Sequence, residues 1–175
     1  RFVVSTDDSY TFNVTNDRIL VANFTVQIYT VTVAASPSAG GEVTGGGTYD
    51  YGDSCLVSAT PAEGYSFVNW TENGTHVSSN DSFGFTVTSD RNLVANFQLQ
   101  TYTISVSASP YGSGVVTGGG TYNYGASCTL TASPNSGYTF QGWTKNGTQV
   151  STDPTYTFTV IESASYIANF QEFKS

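Results

Sequence analysis

Two cysteines, one histidine, thirteen acids and two glycine triplets are the residues of this chain whose types could do chemistry. Their spacing points elsewhere. Gly45-Gly46-Gly47 and Gly118-Gly119-Gly120 resemble phosphate loops only in composition. A phosphate loop needs Lys-Ser/Thr after its glycines and a helix N-terminus facing the anion. Thr-Tyr follows both triplets, in strand-like sequence, so tight turns are expected. His76 stands alone, without an orienting acid or a nucleophile to make a catalytic set. Cys55 and Cys128 lie in Ser-Cys-Leu-Val-Ser-Ala and Ser-Cys-Thr-Leu-Thr-Ala, equivalent places in two copies of one pattern. Equivalent positions of tandem units are poorly placed to form a disulfide, and no base or further metal ligand lies near either thiol. Both cysteines read as small core residues. Asp7-Asp8, Asn80-Asp81 and Asp153-Pro154 recur at one bend. Calcium needs six to eight oxygens, whereas Asx turns explain Asn and Asp at a bend without any ion. No second acid recurs beside the first, as paired-carboxylate hydrolysis would require. The expectation is therefore no catalytic residue, no metal and no cofactor.

Aromatic side chains offer the stronger candidate. Tyr49 and Tyr51, like Tyr122 and Tyr124, stand two apart beside the glycine turns. Residues two apart share one strand face, so each pair is a candidate ligand face that could stack on sugar rings or on a partner protein. The competing reading has them covering the core of a thin domain. Asn-x-Ser/Thr triplets begin at Asn13, Asn23, Asn69, Asn73, Asn80 and Asn146. They reflect a chain rich in Asn and Thr, and Asn73 and Asn146 also belong to turns.

The composition narrows the partners. Five Lys and Arg against thirteen acids give a net charge of −8. Nucleic acid is thereby excluded as an expected partner, because binding it requires clustered cations on the phosphates. Thr, Tyr, Val and Phe favour strands, and helical vocabulary is nearly absent. No apolar run reaches the roughly 18 residues of a membrane span. With neither an initiator Met nor a signal peptide, the chain reads as a piece of a longer protein.

These residues are positioned by a repeat. Trp143 follows Trp70 by 73 positions, and the same offset takes Tyr29 to Tyr102, Cys55 to Cys128, Phe85 to Phe158 and Phe97 to Phe170. Roughly half of the aligned positions are identical, with no insertion. Applied upstream, the offset takes Phe85 to Phe12 and Phe97 to Phe24. The reading is a C-terminal part of a preceding repeat at 1–24, module 1 at 25–97, module 2 at 98–170 and a tail at 171–175. Within a copy, Tyr29–Ala35 alternates apolar and polar as a half-buried strand. Residues 42–44 and 48–51 read as a hairpin across the glycine triplet. Cys55, Val57 and Ala59 share a face, and Phe83, Phe85 and Val87 alternate. Leu93, Ala95 and Phe97, with Val94 opposite, suggest an interior strand.

Gly64-Tyr65-Ser66-Phe67-Val68-Asn69-Trp70 leads into Asn73-Gly74, the strongest short hairpin signal. Trp70 lies three residues past Phe67 and so falls on the opposite face of a regular strand. A bulge near Val68-Asn69 would bring both rings into one core; otherwise Trp70 is a surface aromatic. The core placement is expected because a unit this small needs its largest side chains. The expected core comprises Trp70, Trp143, Phe67, Phe140, Phe85, Phe158, Cys55 and Cys128. Residues 1–24, two strands at most, cannot bury a core alone and should pair onto a module or another chain or be poorly ordered.

The combined pattern, YTVTV-A-x-P, VTGGGTY-x-YG, GY-x-F-x-x-WT-x-NGT, F-T-V and A-N-F, resembles the divergent internalin-B-type B-repeat family over both copies and the partial one. The resemblance implies small, mostly antiparallel β modules related to β-grasp domains, strung in tandem on secreted cell-surface proteins of bacteria and archaea. It carries no catalytic residues. The expected fold is all-β, with an α+β module holding one short helix per repeat as the alternative. The expected role is a non-enzymatic extracellular spacer or stalk whose partners are neighbouring repeats. The competing role is an adhesin binding glycan or host protein through exposed Tyr or Trp faces.

Overall fold

The computed structural model describes residues 2–173. Eight strands form the first module: β1 (Ile28–Ser36), β2 (Gly41–Thr44), β3 (Gly47–Asp50), β4 (Ser54–Pro61), β5 (Tyr65–Glu72), β6 (Thr75–Ser78), β7 (Ser82–Thr86) and β8 (Arg91–Leu99). The second module repeats them as β9 (Thr101–Ser109), β10 (Gly114–Thr117), β11 (Gly120–Asn123), β12 (Ser127–Pro134), β13 (Tyr138–Lys145), β14 (Thr148–Ser151), β15 (Thr155–Thr159) and β16 (Ala164–Glu172). The last strand thus runs past residue 170, where the sequence offset ended the module, and residues 174–175 of the expected tail lie outside the described residues. The fold is all-β. No α-helix occurs among the described residues, and Ser38–Gly40 is a single 3-10 turn, so the α+β alternative is set aside.

Each module is two sheets around one core. A five-stranded sheet has the order β3-β1-β8-β5-β6, and a three-stranded sheet has the order β2-β4-β7. Period-2 alternation decides which side chains enter. Along β4, Cys55, Val57 and Ala59 are buried while Leu56 faces solvent. They meet Val31 of β1, Trp70 of β5 and Leu93, Ala95 and Phe97 of β8. The strand β8, apolar on both faces, lies in the middle of its sheet, parallel to β1 and antiparallel to β5. The second module builds the equivalent core from Ile104, Cys128, Leu130, Trp143, Ala168 and Phe170.

The expected hairpin across the glycine triplet does not form. β2 pairs with β4 in the small sheet, whereas β3 pairs with β1 in the large one. Gly45-Gly46-Gly47 is the corner where the chain passes between sheets. Gly45 takes φ 93° with its backbone against the Leu56 carbonyl, where any Cβ would collide. Only glycine meets both demands.

The tryptophan strand carries a bulge in both copies. Phe67 pairs with Phe97, then Asn69 with Asn96, leaving Val68 unpaired and largely exposed. In module 2 the register passes from Phe140↔Phe170 to Gly142↔Asn169. The extra residue turns Trp70 and Trp143 inward, and both are fully buried. Phe67 and Phe140 pack against them with ring centroids 6.2 and 5.9 Å apart. Asn73 and Gly74 close the hairpin with φ 50° and 77°, the paired positive values a two-residue turn requires.

Residues 2–24 form no strand. Phe2, Ile19 and Phe24 are almost wholly exposed, while Tyr10 stacks on Phe12 and Arg18 lies over the Phe12 ring.

Candidate functional site

The four tyrosines proposed as ligand faces have different surroundings within each pair. Tyr49 and Tyr122 are half-buried and pack against the cores. Their hydroxyls donate to the carbonyls of Gly45 and Gly118 at 2.8 and 2.7 Å. The same carbonyls accept from the thiols of Cys55 and Cys128 at 3.3 and 3.4 Å. Each glycine corner is thus clamped by a phenol and a thiol from the two sheets. The neighbouring Cys55 thiol is the main cause raising the Tyr49 phenol's pKa, with burial second, and Tyr122 is raised in the same way by Cys128. Both cysteines are buried with free thiols.

Tyr51 and Tyr124 lie just past the ends of β3 and β11. Tyr51 is 57% exposed, with its ring 6.4 Å from Tyr29. Tyr124 keeps the equivalent approach to Tyr102 at 6.4 Å, but it is half-buried because it also reaches the other module. Its ring lies against the backbone of Gly64, so closely that any Cβ at position 64 would overlap it.

The recurring acidic bend contributes its backbone. The Trp70 indole N–H donates to the Asp81 carbonyl at 3.1 Å, and Trp143 donates to the Pro154 carbonyl at 3.4 Å. Those carbonyls also accept from the amides of Ala59 and Ala132. The bend therefore satisfies the one polar atom of a buried tryptophan. Asp153 accepts from the Thr155 amide at 3.0 Å as an Asx turn. His76 is exposed, and its Nε2 lies 2.8 Å from the Ser79 hydroxyl. Among the described residues no group of three or more His, Cys, Asp and Glu could hold a metal ion.

Two positions escaped the sequence reading. Asn96 of the A-N-F motif donates through Nδ2 to Asn69 Oδ1 at 2.8 Å and to Thr71 Oγ1 at 3.1 Å. Asn169 donates to the Gly142 carbonyl at 3.2 Å and to Thr144 Oγ1 at 3.1 Å. An asparagine thus ties the bulge that aims the tryptophan. Its signal was a polar residue recurring at positions 23, 96 and 169 inside an otherwise apolar strand. The second is Gln100, the only residue between β8 and β9. Its amide donates to the Gly64 carbonyl and its carbonyl accepts from the Tyr124 amide, both at 2.8 Å.

Charge does not repeat between the two full modules. Arg91 pairs with Glu72 at the end of the large sheet in module 1, with its guanidinium 4.2 Å from the Phe85 ring centroid. In module 2 the Glu72 position is Lys145, paired with Glu162 instead. Tyr166 there packs on Phe158 with centroids 4.8 Å apart, covering the ring that Arg91 covers in module 1.

The sequence model of the divergent InlB B-repeat domain matches residues 29–101 and again 102–174. The chain belongs to the divergent InlB B-repeat family. The two matches begin at Tyr29 and Tyr102, one residue inside the first strand of each module. No curated protein matches the chain. Membership in the B-repeat family points to a cell-surface repeat module, and the tandem arrangement accords with contacts between neighbouring repeats. No helix among the described residues is long and apolar enough to cross a membrane.

Proposed function

We propose that this pair of B-repeats is a non-enzymatic, extracellular spacer or stalk segment that holds another part of its parent protein away from the cell. The observation behind this reading is that the scaffold repeats while the reactive surface does not. Trp, its carbonyl partner, the bulge-tying Asn and the clamped glycine corner occur in both modules. Glu72 becomes Lys145 with its partner at a different position, Arg91 becomes Ala164, and His76 becomes Gln149. Side chains under selection for one reaction or one ligand would be expected to recur with the scaffold that holds them.

The rival, adhesive reading rests on the exposed Tyr51 ring beside Tyr29. A glycan array and a panel of extracellular host proteins, probed with the whole chain and with Tyr51→Ala, separate the two. The spacer reading expects no saturable binding. Binding that saturates and disappears in the variant replaces it with the adhesive one.

A further inference from the structure

Inter-module contacts in a chain usually leave relative motion as the default, unless the linker or interface removes it. Here the linker is a single residue, Gln100, hydrogen-bonded to the first module at Gly64 and to the second at Tyr124. The Tyr124 ring seats on Gly64 and buries it, while the Gln100 side chain accepts from the Tyr102 hydroxyl at 2.9 Å. The Glu63 carboxylate beside the Tyr124 hydroxyl is the main cause raising that phenol's pKa.

Both halves of this contact recur at positions that touch no other module among the described residues. Tyr51 occupies the Tyr124 position, with its amide donating to the Gln27 carbonyl as Tyr124 donates to Gln100, yet it faces solvent. Gly137 occupies the Gly64 position with φ 86° against 79°. Its carbonyl accepts from the Phe173 amide at 3.0 Å, as that of Gly64 accepts from Gln100. A Cβ placed on Gly137 meets nothing within 4 Å. The second module therefore presents the same socket with the same backbone exit, and without a ring in it.

The geometry points to a tyrosine-on-glycine joint as the coupling element of the repeat array: Tyr124 seated on Gly64 fixes one module against the next, and Gly137 is a socket for the Tyr51-type tyrosine of a further B-repeat. This deepens the spacer reading, on which its biological sense rests, and it assigns the Gly137 face one occupant, another repeat of this family. Glycine is required at the socket twice over, for its positive φ and for the close approach of the ring.

The positive φ shared by the two glycines supplies the control. Gly64→Ala and Gly137→Ala impose the same backbone strain, but only the first adds a Cβ in the path of a ring. In the whole chain, amide residual dipolar couplings report whether both modules follow one alignment tensor. The wild type, Gly137→Ala and Tyr51→Ala should share one tensor, whereas Gly64→Ala and Tyr124→Ala should lose it. The amide spectrum of each module reports that it stays folded, and Tyr124→Ala introduces no backbone strain. Modules that remain co-aligned in Tyr124→Ala, or lose alignment equally in both glycine variants, overturn the joint. In a chain lengthened by one further repeat after residue 173, Gly137→Ala should uncouple the new module; retained alignment there overturns the socket. Ligand binding in the array experiment would remove the spacer reading without altering these couplings, so the two failures are distinguishable.

Discussion

Trp70 and Trp143 are the largest side chains of their cores and are completely buried, each with its indole N–H satisfied by a bend carbonyl. Replacing either by alanine removes the packing and leaves that carbonyl with one partner fewer. Such truncations cost about 3–5 kcal/mol, comparable to the stability of a unit this size. Chemical denaturation of Trp70→Ala should show module 1 unfolding at far lower denaturant or lacking a folded baseline. Tyr51→Ala, at an exposed position, should stay within about 0.5 kcal/mol of wild type. The ion pairs give opposite pH signatures. Glu72 is held below its ordinary pKa first by its hydrogen bonds from Arg91. Its contribution is complete above the ordinary glutamate value and is lost as pH falls through the depressed one. Lys145 is raised above the ordinary lysine value first by its hydrogen bond to Glu162. Its contribution is complete below that value and is lost as pH rises through the raised one. Denaturation midpoints followed with pH should therefore lose part of their acid-side slope in Glu72→Gln and part of their alkaline-side slope in Lys145→Gln.

The bulged strand is the element on which each module turns, and it is held by Asn96 or Asn169 in the neighbouring strand. Removing the amide leaves half-buried acceptors on the bulge unpaired, at a cost of about 1–3 kcal/mol. In Asn96→Ala, amide hydrogen exchange should accelerate first across residues 66–71, and the Trp70 fluorescence should shift to the red as the ring gains water. Uniform exchange across the module would mean that the asparagine stabilises the sheet in general and not the bulge. Much of this element was legible in the sequence, because the three-residue step from Phe67 to Trp70 is incompatible with a regular strand burying both rings. The asparagine was not, because its role lies in a contact across strands 27 residues apart in sequence. The glycine triplet was misleading for a related reason. Gly45-Gly46-Gly47 between two short strands satisfies every local criterion for a hairpin, and only the pairing of β2 with β4 and β3 with β1 makes it a corner. Pairing of strands distant in sequence is a long-range property that local turn chemistry does not encode. That Tyr49 and Tyr51 sit in different surroundings was likewise not legible, since Tyr51 lies beyond the end of β3 and the two-residue rule stops with the strand.

At the scale of the whole molecule, the two modules have separate cores and, among the described residues, share no buried apolar residue between them. What links them among the described residues is narrow: one linker residue with two backbone hydrogen bonds, one ring on one glycine, and the Glu63 carboxylate beside the Tyr124 hydroxyl. Stability in repeat arrays is approximately a sum of unit terms and nearest-neighbour terms. With separate cores and so small a contact, the unit terms should dominate here. Trp70→Ala should therefore unfold module 1 while module 2 keeps most of its stability. Segment-resolved hydrogen exchange makes this measurable, with protection lost over residues 28–99 and retained over residues 101–172. The coupling should appear in Tyr124→Ala, where the unfolding of module 2 becomes independent of whether module 1 is folded. Full loss of protection in module 2 upon Trp70→Ala would instead mean that the joint transmits most of the folding energy, making the pair one cooperative unit and the array a single rod whose failure at any repeat spreads to the rest.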